Sequence, residues 1–179
     1  MSKTVKLTEI KKGETFKTGD IEFIKFSDEN DETVVVAKDI LFRSCFGNNN
    51  DLRSSDILKK LNDEFLPKLA EVIGEENIVE FETDLTTLDG LKPYDVMKSK
   101  VSVPTFDFYR DNVEIFDKHK LDKYWWLATP ESAKPHDDPS WVVCVAPSGC
   151  INFNCYCNGH LGVRPFCLLK SDIFVSCEE

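Results

Sequence analysis

Tyr124-Trp125-Trp126-Leu127-Ala128-Thr129-Pro130, then Trp141-Val142-Val143-Cys144-Val145-Ala146-Pro147-Ser148-Gly149-Cys150-Ile151-Asn152-Phe153-Asn154-Cys155-Tyr156-Cys157, then Gly162-Val163-Arg164-Pro165 is the stretch on which the fold turns. Residues 141–145 are a β-branched apolar run and predict a strand. Pro147-Ser148-Gly149 is a turn, and residues 150–157 read as the returning partner strand. Asn158-Gly159 signals a further turn. Residues 163–169 predict a last buried strand, with Pro165 as a local irregularity. The C-terminal quarter is therefore expected to be antiparallel hairpins.

Upstream, residues 21–26 alternate apolar and polar, residues 27–32 are polar, and residues 33–37 are β-branched, which predicts an N-terminal β-hairpin. Gly47 and the triplet Asn48–Asn50 break that pattern. Residues 52–73 carry Ile57, Leu58, Leu61, Phe65, Leu66, Leu69, Val72 and Ile73 at three- and four-residue steps, the signature of one main amphipathic helix. Ser54 or Ser55 suits its N-cap, Asp56 its first turn, and Gly74 its end, while Pro67 is placed to kink or split it. A short second helix is expected near residues 103–109, with Pro104 or Thr105 at its start. Residues 85–91 read as a turn-rich connection. No linker, low-complexity tract or fixed-period repeat interrupts the chain, so residues 1–179 are expected to form a single α+β domain.

The chain has 179 residues, 22 basic and 32 acidic, and a formal net charge of −10. Such a chain repels phosphate backbones, and no run of Lys and Arg offsets this, so no nucleic-acid partner is expected. Its 41% hydrophobic and 30% charged content is that of a globular protein. No apolar run is long enough to span a bilayer. Met-Ser-Lys-Thr-Val-Lys opens without an apolar segment, so the expectation is no secretory signal and synthesis in the cytoplasm, with a phage particle released by lysis as one later destination.

Between Asp138 and Arg164 there is no Asp, Glu, Lys or Arg. Residues 148–160 instead alternate Asn152, Asn154 and Asn158 with Phe153, Tyr156 and cysteines, and end at His160. Rigid rings and adaptable amides are the chemistry of recognition surfaces. The same alternation also describes any half-buried strand.

Seven cysteines are many for a cytosolic chain. Most are expected to be small buried hydrophobes or free thiols, and a disulfide framework requires an oxidising destination. Cys155-x-Cys157-x-x-His160 brings three soft donors together, and strand alternation would put Cys155 and Cys157 on one face, yet this is not a zinc knuckle spacing. The three histidines (His119, His136, His160) show no metalloprotease pattern, and neither a nucleophile elbow nor a glycine-rich phosphate loop is present. The acidic residues 28–32 lack calcium-loop spacing and read as a solvated turn, and His136-Asp137-Asp138 reads as a surface loop with a weak cation site as the alternative. No cofactor and no metal is expected.

Trp125-Trp126-Leu127, residues 142–149 and Gly162-Val163-Arg164-Pro165 together resemble the C-terminal half of a widespread bacterial and phage domain family of uncharacterised function. Ser55, Leu58, Leu61, Asn62 and Phe65 resemble that family's helix, and residues 104–109 its short second helix. The likeness spans roughly residues 20–170. Ala128-Thr129 depart from the Arg-Ser usual there, so no role for that arginine carries over.

That resemblance implies a C-type-lectin-like fold. It is similar to the variable proteins of diversity-generating retroelements and more remotely to formylglycine-generating enzymes. It implies a tryptophan pair plugging the core, a buried Arg164 that needs a carbonyl or carboxylate partner, and a variable surface just ahead of Gly162. The expected function is binding of a protein or carbohydrate ligand through Trp141, Asn152, Phe153, Asn154, Tyr156, Asn158 and His160, without enzymatic activity. Two alternatives stay open. One is an intracellular phage-encoded interaction protein that blocks a host defence. The other is a thiol- or copper-dependent oxidase on Cys150 and Cys155.

Overall fold

Strands run in chain order as β1 (Ser2–Lys6), β2 (Thr15–Thr18), β3 (Ile21–Glu29), β4 (Glu32–Ala37), β5 (Phe42–Arg43), β6 (Ile78–Val79), β7 (Phe81–Asp84), β8 (Val96–Ser99), β9 (Trp125–Pro130), β10 (Trp141–Val145), β11 (Ile151–Cys155), β12 (Gly162–Val163), β13 (Phe166–Lys170) and β14 (Phe174–Glu178) in a computed structural model that describes residues 2–133 and 140–178. His136-Asp137-Asp138 falls outside the described residues. The fold is α+β. Seven strands form one antiparallel sheet in the order β1-β14-β2-β3-β4-β13-β6, five form a second in the order β11-β10-β9-β12-β5, and β7 with β8 makes a separate hairpin.

The predicted N-terminal hairpin is β3–β4. Its strands extend further than the polar run suggests, and the turn shrinks to Asn30 and Asp31, both left-handed at φ 51° and 64°. Short polar side chains tolerate that conformation, and paired left-handed residues match the strand twist. The acidic stretch is correspondingly built in: Asp28 pairs with the buried Lys25 at 2.6 Å and accepts from Thr33 Oγ1.

The main helix spans residues 56–73. Ser55 caps it by accepting from Leu58 N at 3.1 Å. Its middle, Leu61–Phe65, widens into a π-helical turn just ahead of Pro67. Proline cannot donate back to the preceding turn, and the extra residue absorbs that lost bond without a break. Thr105 caps the predicted short helix, Phe106–Asp111, through Phe108 N. A second short helix, Val113–Lys118, follows it and was not visible in the sequence.

The expected strand at 163–169 is two strands in two sheets. β12 ends at Val163 in the five-stranded sheet, and β13 begins at Phe166 in the seven-stranded one. Arg164-Pro165 is where the chain changes sheet, because proline cannot donate to a continuing ladder.

Two apolar clusters fill the interior. The first gathers Phe16, Phe23, Leu61, Phe65, Leu69, Trp126, Val142 and Cys144 beneath the main helix. The second gathers Phe26, Val36, Tyr109, Phe116, Trp125, Val143 and Val145 beneath the two short helices. β9 and most of β10 are thus buried on both faces. No helix among the described residues is long and apolar enough to cross a membrane.

Candidate functional site

The two tryptophans are the foundation under the C-terminal hairpin. Neighbours on β9, they point into opposite clusters, as strand alternation demands. Trp126 is fully buried and donates Nε1 to Ser44 O at 3.0 Å. The ring of Trp125 packs on Phe116 and Tyr109, with centroids 5.5 and 5.8 Å away. The Arg164 guanidinium lies 4.7 Å from the Trp125 centroid and donates Nε to Ala37 O at 3.0 Å. A carbonyl, not a carboxylate, is therefore its hydrogen-bonding partner, and burial pulls its pKa down to about 10. Tyr109 completes the support by donating its hydroxyl to Gly149 O at 2.6 Å.

β11 is the outermost strand of its sheet and pairs with β10 in the register Val145–Ile151, Cys144–Asn152, Val143–Phe153, Val142–Asn154 and Trp141–Cys155. Ile151 and Phe153 share a face and lean on the second cluster. Asn152 is on the other face and exposed, its Oδ1 accepting from Phe153 N. Beyond Cys155 the chain turns. Tyr156 packs its ring on the first cluster, donates its backbone N–H to Ser140 O at 2.7 Å and accepts from Phe46 N at 2.8 Å. Asn158 donates to Asn154 Oδ1 at 2.9 Å, and its own Oδ1 takes His160 N at 3.0 Å. Trp141 is 47% exposed and His160 is exposed.

The seven expected residues all lie at the start of β10, on β11 or in the turn after it, but they divide by face and by role. Trp141, Asn152 and His160 are open to solvent. Asn154 and Asn158 brace one another. Phe153 and Tyr156, expected as exposed anchors, are half-buried against the core, because the edge strand must cover β10.

The cysteines also divide. Cys144 and Cys167 are buried free thiols, as expected, and burial pushes the Cys144 pKa up to about 12 and that of Cys167 higher still. β11 ends at Cys155, so Cys157 is a turn residue and not the next position on a strand face as alternation suggested, and the two are joined as a disulfide. The thiol of Cys45 donates to Cys157 O at 3.0 Å. Cys150 and Cys155 bracket β11, roughly 16 Å apart at the rise of an extended chain, and do not meet as a pair. Among the described residues no three His, Cys, Asp or Glu side chains are grouped to hold a metal.

Two features escaped the sequence. Asn50 is fully buried and donates to Trp141 O at 3.2 Å and Ser132 O at 2.9 Å while accepting from Tyr94 OH at 2.6 Å. Its place in an asparagine triplet was the only visible sign. The other is a cleft of about 270 Å³ beneath β7, lined by residues of four separated segments.

A family model described as a domain of unknown function, DUF6273, matches residues 82–171, half of the chain. That span holds the tryptophan pair, the 141–160 ribbon and Gly162-Val163-Arg164-Pro165. No curated protein and no solved structure matches the chain.

Proposed function

We propose that this chain, which belongs to the DUF6273 family of unknown function, is a recognition module that binds a protein partner through the ribbon from Trp141 to His160. The carrying observation is a surface strand and turn without a single charged side chain, in a molecule of net charge −10, with Trp141 47% exposed on the Phe153 side of the sheet, Asn152 exposed on the other side and His160 exposed in the turn that follows. Desolvating rings and amides costs little compared with desolvating ions, and a half-exposed tryptophan is the commonest kind of energetic anchor. The ribbon is an outer strand rather than a cleft, which favours a protein face over a small ligand. Its place just before Gly162-Val163-Arg164-Pro165 supports the C-type-lectin-like reading, in which a variable surface occupies that position.

The test uses the full chain as bait in lysates of candidate hosts, followed by affinity measurement on the captured partner. Trp141→Ala should weaken binding by roughly 30-fold or more while unfolding is nearly unchanged. Phe153→Ala should instead destabilise the fold by about 2–4 kcal/mol, because its ring is partly core. Unchanged affinity in a Trp141→Ala, Asn152→Ala, His160→Ala triple variant rejects the ribbon, and saturable binding on a glycan array with no protein partner replaces protein by carbohydrate.

A further inference from the structure

We propose that Cys45, Cys155 and Cys157 form a thiol–disulfide exchange site that takes a low-molecular-weight thiol. Cys157 is the sulfur attacked, Cys155 the one released, and Cys45 the resolving thiol. This reading does not depend on the ribbon's partner.

The three residues come together where the segment after β5 runs beside the turn that follows β11. Phe46 N donates to Tyr156 O at 2.8 Å and Ser44 N to Leu161 O at 3.2 Å, which holds Cys45 alongside Cys157. The free thiol of Cys45 donates to Cys157 O at 3.0 Å. A Cβ on Gly159 would lie 3.5 Å from Cys45 Sγ, so that sulfur rests against the turn itself. Cys144 and Cys167 are buried, and Cys150 is at the far end of β11.

This arrangement gives the exchange a direction. Cys157 is exposed and Cys155 half-buried, so an incoming thiol reaches Cys157 Sγ first. Exposed disulfides are the ones open to such attack. The backbone N–H of Cys157 donates to Cys155 Sγ at 3.3 Å. That bond strengthens as negative charge develops on the sulfur, which favours Cys155 as the leaving group. Chain entropy favours passing the link on to Cys45. A bridge between residues 2 apart hardly restricts the unfolded chain, whereas Cys45 and Cys157 are 112 apart.

In the first step the small thiolate bonds to Cys157 Sγ. The Cys155–Cys157 bond breaks, its electron pair stays on Cys155, and Cys155 takes a proton from water. In the second step Cys45 Sγ bonds to Cys157 Sγ and expels the small thiolate, which takes the proton that Cys45 gives up. One disulfide replaces another, with no net oxidation, and the small thiol is regenerated. The new bridge ties the ribbon's turn to the segment whose Ser44 O accepts from Trp126 Nε1, so it braces the ribbon on its foundation.

The experiment treats the full chain, purified without reductant, with millimolar reduced glutathione, then quenches with acid and alkylates. Chymotryptic cleavage after Tyr156 separates Cys155 from Cys157 for mass spectrometry. The expected wild-type product has Cys155 alkylated, Cys157 joined to Cys45 and little glutathione retained. Cys45→Ser should accumulate the glutathione adduct on Cys157 at least about fivefold over wild type, and Cys45→Ala should do the same. Backbone spectra matching wild type check that both variants fold. An intact Cys155–Cys157 bridge after treatment overturns the proposal, as do free thiols at both positions before it. So do an adduct on Cys155 instead, equal adduct with and without Cys45, or alkylation of both Cys155 and Cys157 with Cys45 still free.

Discussion

At Cys144 and Cys167 burial acts on chemistry as well as on packing. Each thiol sits where its thiolate would be stripped of water, so the pKa of Cys144 rises from 9.0 to about 12 and that of Cys167 rises further. In the unfolded chain both ionise at their ordinary value. Below pH 9 both states hold the protons and stability does not change. Above it the unfolded chain releases protons that the folded chain retains, so unfolding becomes easier as pH rises towards 12. Each thiol contributes a slope of up to about 1.4 kcal/mol per pH unit. Urea midpoints measured from pH 8 to 11 should fall, and fall less steeply in Cys144→Ala/Cys167→Ala. Equal slopes would mean that the two thiols ionise while folded. In the native state Cys150, exposed at the start of β11, should alkylate readily, and Cys144 and Cys167 should resist.

At the scale of the element, what could be read in advance follows the number of residues that carry the pattern. The main helix and the β3–β4 hairpin repeat their periods often enough to be legible, and Ser55, Thr105 and Gly74 mark real ends. β5, β6 and β12 are two residues each, too short for any period to show. The alternation of rings and amides over residues 150–157 made a half-buried strand legible, but not which buried cluster each ring meets, since alternation gives faces but not what covers them. The cleft was illegible because its lining residues are distant in sequence and meet only in the fold. Gly162 shows how tightly such short strands are held. A Cβ there would lie 2.3 Å from Ile40 Cδ1 and within 2.7 Å of two further Ile40 carbons. Gly162→Ala should therefore cost about 1–3 kcal/mol by overpacking. In a double-mutant cycle Ile40→Ala should recover part of that loss, giving a coupling of about 1 kcal/mol. Additive losses would show that Ile40 moves aside freely and that the close approach is not what requires glycine.

At the scale of the molecule, the two sheets must be joined where the chain leaves one for the other, and Arg164 occupies that crossing. It is 1% exposed and lies between the second cluster's rings and the β4 backbone. A buried cation normally needs an anion. Here no carboxylate bonds to it: Asp39 acts only as a nearby opposite charge, Phe116 and Trp125 offer their ring faces 5.4 and 4.7 Å from the guanidinium carbon, and Ala37 O takes the Nε proton. Nη2 has no protein partner, so the arrangement is incompletely satisfied. The lowered pKa is the same cost seen from the proton's side: folding favours the neutral form, so the charge is a burden at every pH below about 10. The side chain must return more in packing than it costs in desolvation. Arg164→Ala removes that packing, opens a void beneath Trp125 and frees Ala37 O, and should lower stability by about 3–5 kcal/mol in denaturant titrations. Arg164→Met keeps most of the volume and sheds the charge, and should cost less than half as much. If Met is as damaging as Ala, the cation itself, through the rings and Ala37 O, holds the sheets together. If both lie within about 1 kcal/mol of wild type, the crossing is stabilised elsewhere, and the ribbon's foundation is the two tryptophans and Tyr109 without the arginine.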